Sequence, residues 1–393
     1  MRTILAITLM NFRSIRGRLG TSLVIVVGIA CVVAVLIGML SMSKGFERTL
    51  KGTGSDARAL MLSAGVLAEL SSGISRDIVP LVRELPGIAR DADGKPIASA
   101  ENVVITELKR GEGHMKANVN VSLRGVEPAG LSMRKELKIV EGRMFKQGLR
   151  ELIVGRQASQ QFAGVTVGQT LHFRGSDWAV VGVFETDGDA HESEMWTDAD
   201  TARSAFGRQG ASSLLVQLES PQHLQKLKDA VTADPRFQLD VTSERDYFTS
   251  QTGNFSRNLG VLTSVVAAIM AFGALFGALN TMYSAVATRR VEIATLRAIG
   301  FSGAPVVASV LTEAIALALT GGCIGALVSY VMFNGMTVST LGQNFTQIAF
   351  SFAVTPDLVV RGLVWAVVIG FIGGLFPAVR AARLPITVAL RAA

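Results

Sequence analysis

Four stretches of the chain interrupt its mixed charged and apolar pattern. Residues 19–43 carry no charge, and neither do residues 258–288. After Arg297 the only charged residue before Asp357 is Glu313, and the apolar part covers 304–333. The last stretch, 356–379, holds Asp357 and Arg361 near its start and then no charge before Arg380. A membrane-spanning helix needs roughly 20 apolar residues at about 1.5 Å each. All four stretches qualify, the fourth with its helix starting at Pro356. Four such lengths in one chain argue against buried core helices. The first is longer than the apolar region of a signal peptide, and no clean small-x-small cleavage pattern follows it, so it reads as a retained anchor.

Orientation follows from arginines in short loops. Arg2, Arg13, Arg16 and Arg18 precede the first span, and Arg289, Arg290 and Arg297 lie between the second and third. Arg380, Arg383 and Arg391 follow the fourth, whereas residues 334–355 contain no Lys or Arg. The expected order is a cytoplasmic segment 1–18, a span 19–43, an extracytoplasmic domain 44–257 and a span 258–285. A cytoplasmic loop 286–303, a span 304–333, an outer loop 334–355, a span 356–379 and a cytoplasmic tail 380–393 complete it. The fold class is a membrane protein of four transmembrane helices with an α+β domain inserted between the first and second.

Charge changes the picture only once it is partitioned. The formal net charge is +7, from 38 Lys+Arg against 31 Asp+Glu. A basic chain raises the question of nucleic acid. Residues 44–257 are close to neutral, however, so the surplus belongs to the flanks of the spans. It is a topology signal, and the expected partners include membrane lipids and no nucleic acid. The two cysteines, Cys31 and Cys323, fall inside spans, so no disulfide framework exists.

Within the outer segment, residues 44–62 read as a helical continuation of the first span. A helix near 75–85 ends at Pro86-Gly87. Strands are expected at 102–108 and 116–124, where Val119, Val121 and Leu123 alternate with polar residues. Further strands are expected at 151–154, 170–174, 178–184 and 212–218. Helices are expected at 156–162, at 221–233 with Pro221 in its first turn, and at 244–257 leading into the second span.

Catalytic chemistry is not evident. The chain has no G-x-x-x-x-G-K-[ST], G-x-S-x-G or H-E-x-x-H motif. His114, His172, His191 and His223 never recur at helical ligand spacing. Asp187, Asp189, Glu192 and Glu194 form an acidic loop without EF-hand spacing, which reads as solvated. No catalytic, metal or cofactor site is expected, and the chain is not read as an enzyme. Glycines recur four apart as Gly273/Gly277, Gly321/Gly325 and Gly370/Gly374, suited to close helix packing within the subunit or to a dimer seam. Glu313 lies some 13 Å into its span, where a carboxylate needs a partner. An arginine of the neighbouring loop fits that need. A structural or coupling role and a contact with substrate are both open readings.

The most informative stretch is that loop. Val286, Ile293, Leu296 and Ile299 fall at helical spacing, with Arg289, Arg290, Glu292 and Arg297 around them. Gly300 is placed to end a helix and Ser302 to start the next. An amphipathic helix is expected between two spans; the alternative is a solvated loop that only fixes orientation. The run Arg289-Arg290-x-Glu292-Ile293-x-x-Leu296-Arg297-Ala298-Ile299-Gly300-Phe301, with Glu313 in the next span, resembles the signature of MacB/FtsX-type permeases of ABC transporters. The ending Gly373-Gly374-Leu375-Phe376-Pro377-Ala378 through Arg391 is similar to that family's ending. So are Glu141-Gly142-Arg143, Arg150 to Gly155, Gly168-Gln169 and Val180 to Phe184 to its extracytoplasmic core.

The resemblance implies a permease subunit of the bacterial inner membrane, with both termini cytoplasmic. It implies a dimer, either of this chain or with a related permease, served by a separate cytoplasmic ABC ATPase subunit that binds the ATP. It leaves room for a periplasmic adaptor. Arg289, Arg290, Glu292, Leu296, Arg297, Ile299, Gly300 and Phe301 would form the ATPase-coupling helix. ATP hydrolysis would move the outer domain to export or extract a lipid, lipoprotein, peptide or amphiphilic compound. A second function stays open, an FtsX-like permease that regulates an outer partner such as a cell-wall hydrolase without transport.

Overall fold

The computed structural model describes residues 19–109, 118–300, 302–341 and 347–383. It forms two compact units. One comprises Met1–Lys44, Ser256–Met336 and Phe352–Ala393; the other comprises Gly45–Phe255 and Thr337–Ser351.

The first unit is built on most of α1 (Leu19–Gly52) and α7 (Glu244–Thr288), whose remaining turns belong to the second unit, and on α9 (Gly303–Phe333) and α10 (Pro356–Ala382). Each contains a stretch long and apolar enough to cross a membrane. Small residues set their spacing. Gly321 and Gly325 of α9 lie against the backbone of α1 at Val26 and Ala30, where a Cβ would collide with the carbonyl oxygens. Gly370 and Gly374 of α10 lie against Ala318 and Ala314 of α9. The Ser329 hydroxyl donates to the Ala34 carbonyl oxygen at 2.9 Å, giving these helices a polar contact in an apolar setting. Two of the three glycine pairs thus serve packing within the chain. The third does not, because Gly273 and Gly277 face open space on a side of α7 that also exposes Ile269, Phe272 and Phe276.

The second unit is organised by one mixed sheet. Its strands are β1 (Arg58–Ser63), β2 (Ala98–Lys109), β3 (Asn118–Val126), β4 (Lys138–Gly142) and β5 (Glu151–Gly155). β6 (Thr170–Phe173), β7 (Ser176–Glu185), β8 (Met195–Asp198), β9 (Ser213–Gln217) and β10 (Leu239–Ser243) follow. The order is β10-β1-β9-β2-β3-β8-β5-β7-β4, with β6 beside β7. At one end, β1, α2 (Ile78–Arg83), β2, β9, α6 (His223–Ala233) and β10 form a layer whose strands pair antiparallel throughout. Their order is that of a split β-α-β, or ferredoxin-like, layer. Its core holds Met61, Val82, Leu214, Val216, Leu227 and Val231. The remaining strands are inserted between β2 and β9, with α3 (Pro128–Met133), α4 (Arg156–Gln161) and α5 (Ala199–Phe206). They build a second core on Trp178, Leu152, Val154 and Met195.

Two expectations change, and the loop between the third and fourth spans proves to be structured. The helix continuing the first span stops at Gly52, and the chain turns at Gly54, whose φ is +80°. Residues 58–62, expected as helix, belong to β1. Ala59, Leu60, Met61 and Leu62 are all buried, and an unbroken apolar run carries no period that separates a central strand from a helix. The acidic loop is solvated only at Asp187. Ala190–Ser193 is a buried 3₁₀ turn whose carboxylates are taken by protein donors. Asp189 accepts from the His191 amide and pairs with His191 Nδ1, each at 2.9 Å, and Glu192 accepts from the amides of Thr186 and Gly188. Finally, the loop between the third and fourth spans forms a hairpin, β11 (Thr337–Leu341) with β12 (Gln347–Ser351). That hairpin belongs to the second unit, where Phe350 meets the Phe46 ring edge-on at 5.4 Å.

Candidate coupling site

The expected coupling segment is a distinct helix. α7 ends at Thr288, Arg289 breaks the helical path with φ −109° and ψ 14°, and α8 (Arg290–Ala298) follows. The Gly300 amide donates to the Arg297 carbonyl oxygen at 3.1 Å, and its φ of +102° turns the chain toward α9. Glycine reaches that region without steric cost.

The segment divides into a buried root and an open face. Val286 and Ile293 are buried in the same cluster as Val306, Val310, Ala378 and Ala381, and Ala294 is buried as well. Arg289 is buried with them. Its Nη1 lies 3.6 Å from Glu313 Oε2, and its Nε lies 3.1 Å from Glu292 Oε2. The intramembrane carboxylate thus has the arginine partner its depth requires. Arg290, Val291, Glu292, Ile299 and Gly300 are exposed, and Arg297 is half-buried. The Leu296 side chain and all of Phe301 lie outside the described residues. The expected single apolar stripe is therefore split. Val286 and Ile293 turn inward, while Ile299, which caps α8 beyond its last turn, is 71% exposed.

A second constellation, in the other unit, was not read from the sequence. Arg124 of β3 is buried and uses all its guanidinium N–H groups on Glu69, Glu101 and Glu194, at 2.8 to 3.0 Å. Arg134 forks onto Glu101 and lies over the Trp196 ring at 5.0 Å from its centroid. Arg58 donates to Glu244 at 2.6 Å and also pairs with Glu136. Glu244 opens α7 and accepts the Ser55 amide just past the end of α1. The ends of the two long helices are therefore joined through Glu244. Tyr247, one turn further along α7, accepts from the Glu69 amide through its hydroxyl at 3.2 Å.

The electrostatics follow from burial and pairing. Burial alone would raise the Glu101 carboxyl, but the Arg134 and Arg124 guanidiniums outweigh it and hold the group at about 2. Glu194 is lowered too, since Arg124 overcomes the desolvation of its carboxylate. Burial disfavours charge on His191, while Asp189 favours it and shifts the group upward. In sequence these residues are scattered between Arg58 and Glu244, at no recognisable spacing. Arg124 falls among the polar positions of an alternating strand, where a charge reads as ordinary surface.

The architecture defines a multi-pass membrane protein with an α+β domain between the first and second of four long apolar helices. Comparison with known proteins gives the family. A MacB-like periplasmic core domain matches residues 20–234, more than half of the chain, and an FtsX-like permease C-terminal region matches residues 264–386. The chain belongs to the MacB/FtsX family of ABC transporter permeases. It is 24% identical to the macrolide export ATP-binding/permease protein MacB of Bdellovibrio bacteriovorus, over 93% of this chain and 58% of that protein. It therefore spans little more than half the length of that relative. It is 22% identical to the uncharacterized ABC transporter permease YvrN of Bacillus subtilis, over 97% of this chain and 96% of that one. The extracellular domain of the noncanonic ABC-type transporter YknZ from Gram-positive bacteria covers 47% of this chain and 100% of its own, at 17% identity and a TM-score of 0.36.

Proposed function

We propose that the chain is the membrane half of an ABC transporter whose ATPase, outside these 393 residues, docks on α8. The observation that carries this reading is the division around Arg289. The buried pair with Glu313 fixes the root of α8 to α9, while Arg290, Val291 and Ile299 are left open. A docking element needs such a combination, because force applied to a loosely held loop would be lost in its own motion. The far ends of α1 and α7 are held by buried charge pairs through Glu244 and Arg58. In this reading, ATP bound by the partner drives α8, and α7 carries the displacement to the outer domain.

The arginine-bearing ends of the spans face the cytoplasm of a bacterial inner membrane, following the positive-inside rule. The working unit is a dimer, of this chain or with a related permease. Its cargo is a lipid, lipoprotein, peptide or amphiphile exported or extracted at the outer face, with or without an adaptor. The test is affinity purification from native membranes, with identification of bound proteins and lipids. A co-purifying ATPase subunit, together with a lipid or adaptor, supports the reading. A cell-wall hydrolase in place of cargo would favour regulation without transport. Robust ATP hydrolysis by the pure chain would contradict the assignment of ATP to a partner.

A further inference from the structure

α7 and α10 approach closely where Gly373 meets Ala278 and Leu275. Toward their arginine-bearing ends the facing side chains become larger and a groove of about 440 Å³ opens. Tyr283, Leu375, Phe376, Val379, Arg380 and Arg383 line it. Its floor is apolar and aromatic, and Phe376 is 59% exposed. Its rim is basic. The Arg380 guanidinium sits over the Tyr283 ring, 5.6 Å from the centroid, and Arg383 stands three residues further on.

Among the described residues, the charges on this rim have no acidic partner. After Glu313 the only acidic residue is Asp357, and it pairs with Arg361 at 3.1 Å. Residues 258–288 contain no acid, and Glu292 is engaged by Arg289. Among the described residues, neither Arg380 nor Arg383 is paired with a carboxylate. Arginines that serve only as topology markers need no groove beside them and no ring beneath them.

We propose that this groove is a binding site for an anionic phospholipid. The phosphate lies between Arg380 and Arg383, and an acyl chain runs along Leu375, Phe376 and Val379. The site lies at the end of two apolar spans, so lipid is what surrounds it. Guanidinium groups match phosphate oxygens in geometry as well as charge. Basic pockets between membrane helices at the headgroup level select anionic lipids. The Tyr283 ring holds Arg380 in place before the lipid arrives, which lowers the ordering cost of binding. The proposal is independent of what the transporter carries.

The test is native mass spectrometry of the purified full chain, titrated with dioleoyl phosphatidylglycerol or dioleoyl phosphatidylethanolamine. Retention of the anionic lipid should exceed that of the zwitterionic one several-fold. Arg380→Gln combined with Arg383→Gln should abolish the preference, and Tyr283→Leu should weaken it. Arg380→Lys with Arg383→Lys should keep part of it, and Arg361→Gln, near the opposite end of α10, should leave it intact. Should the double glutamine variant fail to fold, Tyr283→Leu and each single variant carry the test. Equal retention of both lipids, or a preference surviving the double variant, would overturn the proposal. So would full competition by millimolar inorganic phosphate, which would mark a free-anion site. Loss of the preference on binding the ATPase would make the arginines a protein contact and would overturn it as well.

Discussion

Arg289 and Glu313 stand 3.6 Å apart, and each side chain is only 9% exposed. One residue separates the second span from α8, and the other lies inside the third span. Removing one partner of a buried pair leaves an uncompensated charge, at a cost of roughly 3–5 kcal/mol. Glu313→Leu and Arg289→Met are therefore each expected to lower the thermal midpoint of the purified chain. Together they should cost clearly less than the sum of the two, since the orphaned charge is gone. A strictly additive double variant would show that the pair contributes nothing as a pair.

The open face of α8 makes a contrasting prediction. Ile299 is 71% exposed and Val291 is 40% exposed. Ile299→Glu should leave the stability of the chain within about 0.5 kcal/mol of wild type, as surface substitutions usually do. It should reduce ATPase co-purification, and permease-dependent ATP hydrolysis, by about tenfold, corresponding to about 1.4 kcal/mol of docking energy. Unchanged capture of the ATPase by this variant would move the docking surface elsewhere.

Acid titration reports on the buried network of the second unit. Glu101 sits at about 2 in the fold, against an ordinary 4.5. A depressed carboxylate stabilises above its unfolded value and loses that contribution as pH falls through its folded value. The window therefore runs from about 4.5 down to about 2, with about 3 kcal/mol at stake. Unfolding of wild type followed by near-ultraviolet circular dichroism should steepen across this window. Glu101→Gln should be less stable at neutral pH by roughly 3–5 kcal/mol, because Arg134 and Arg124 lose a charged partner. Its acid dependence should also be shallower, and parallel acid profiles for the two proteins would remove Glu101 as the source.

How legible the molecule was in its sequence depended on whether a feature is local. The spans were readable because about 20 consecutive residues without charge rarely suit a soluble core. The strand Asn118–Val126 was readable because Val119, Val121 and Leu123 alternate with polar residues. β1 was not, because an unbroken apolar run has no period. The need of Glu313 for a nearby arginine was visible from its depth, since a lone intramembrane carboxylate is costly wherever it lies. The outward turn of Ile299 was not, because α8 ends at Ala298 and Ile299 caps it, beyond the helical register that spacing assumes. The Arg124 cluster was hidden for a different reason. Glu101 and Glu194 are brought to Arg124 by the sheet order and Glu69 by a 3₁₀ turn packed beside it, and no spacing encodes either.

The same distinction separates the glycine pairs, which look alike in sequence. Gly325 lies against Ala30 and Val33 of α1, whereas Gly277 meets nothing within 4 Å. Gly325→Leu should force α9 away from α1 and destabilise the chain by at least the roughly 1–3 kcal/mol typical of overpacking. Gly277→Leu should be neutral for the stability of a single chain. Because it enlarges an exposed face that already carries Phe272 and Phe276, its effect should appear only in assembly. Mass photometry of the two variants in the same detergent separates these roles. If the permease pairs through this face of α7, Gly277→Leu shifts the dimer–monomer balance toward monomer at unchanged thermal midpoint. An unaltered balance would leave Gly273 and Gly277 as lipid-facing positions and move the subunit seam to another helix.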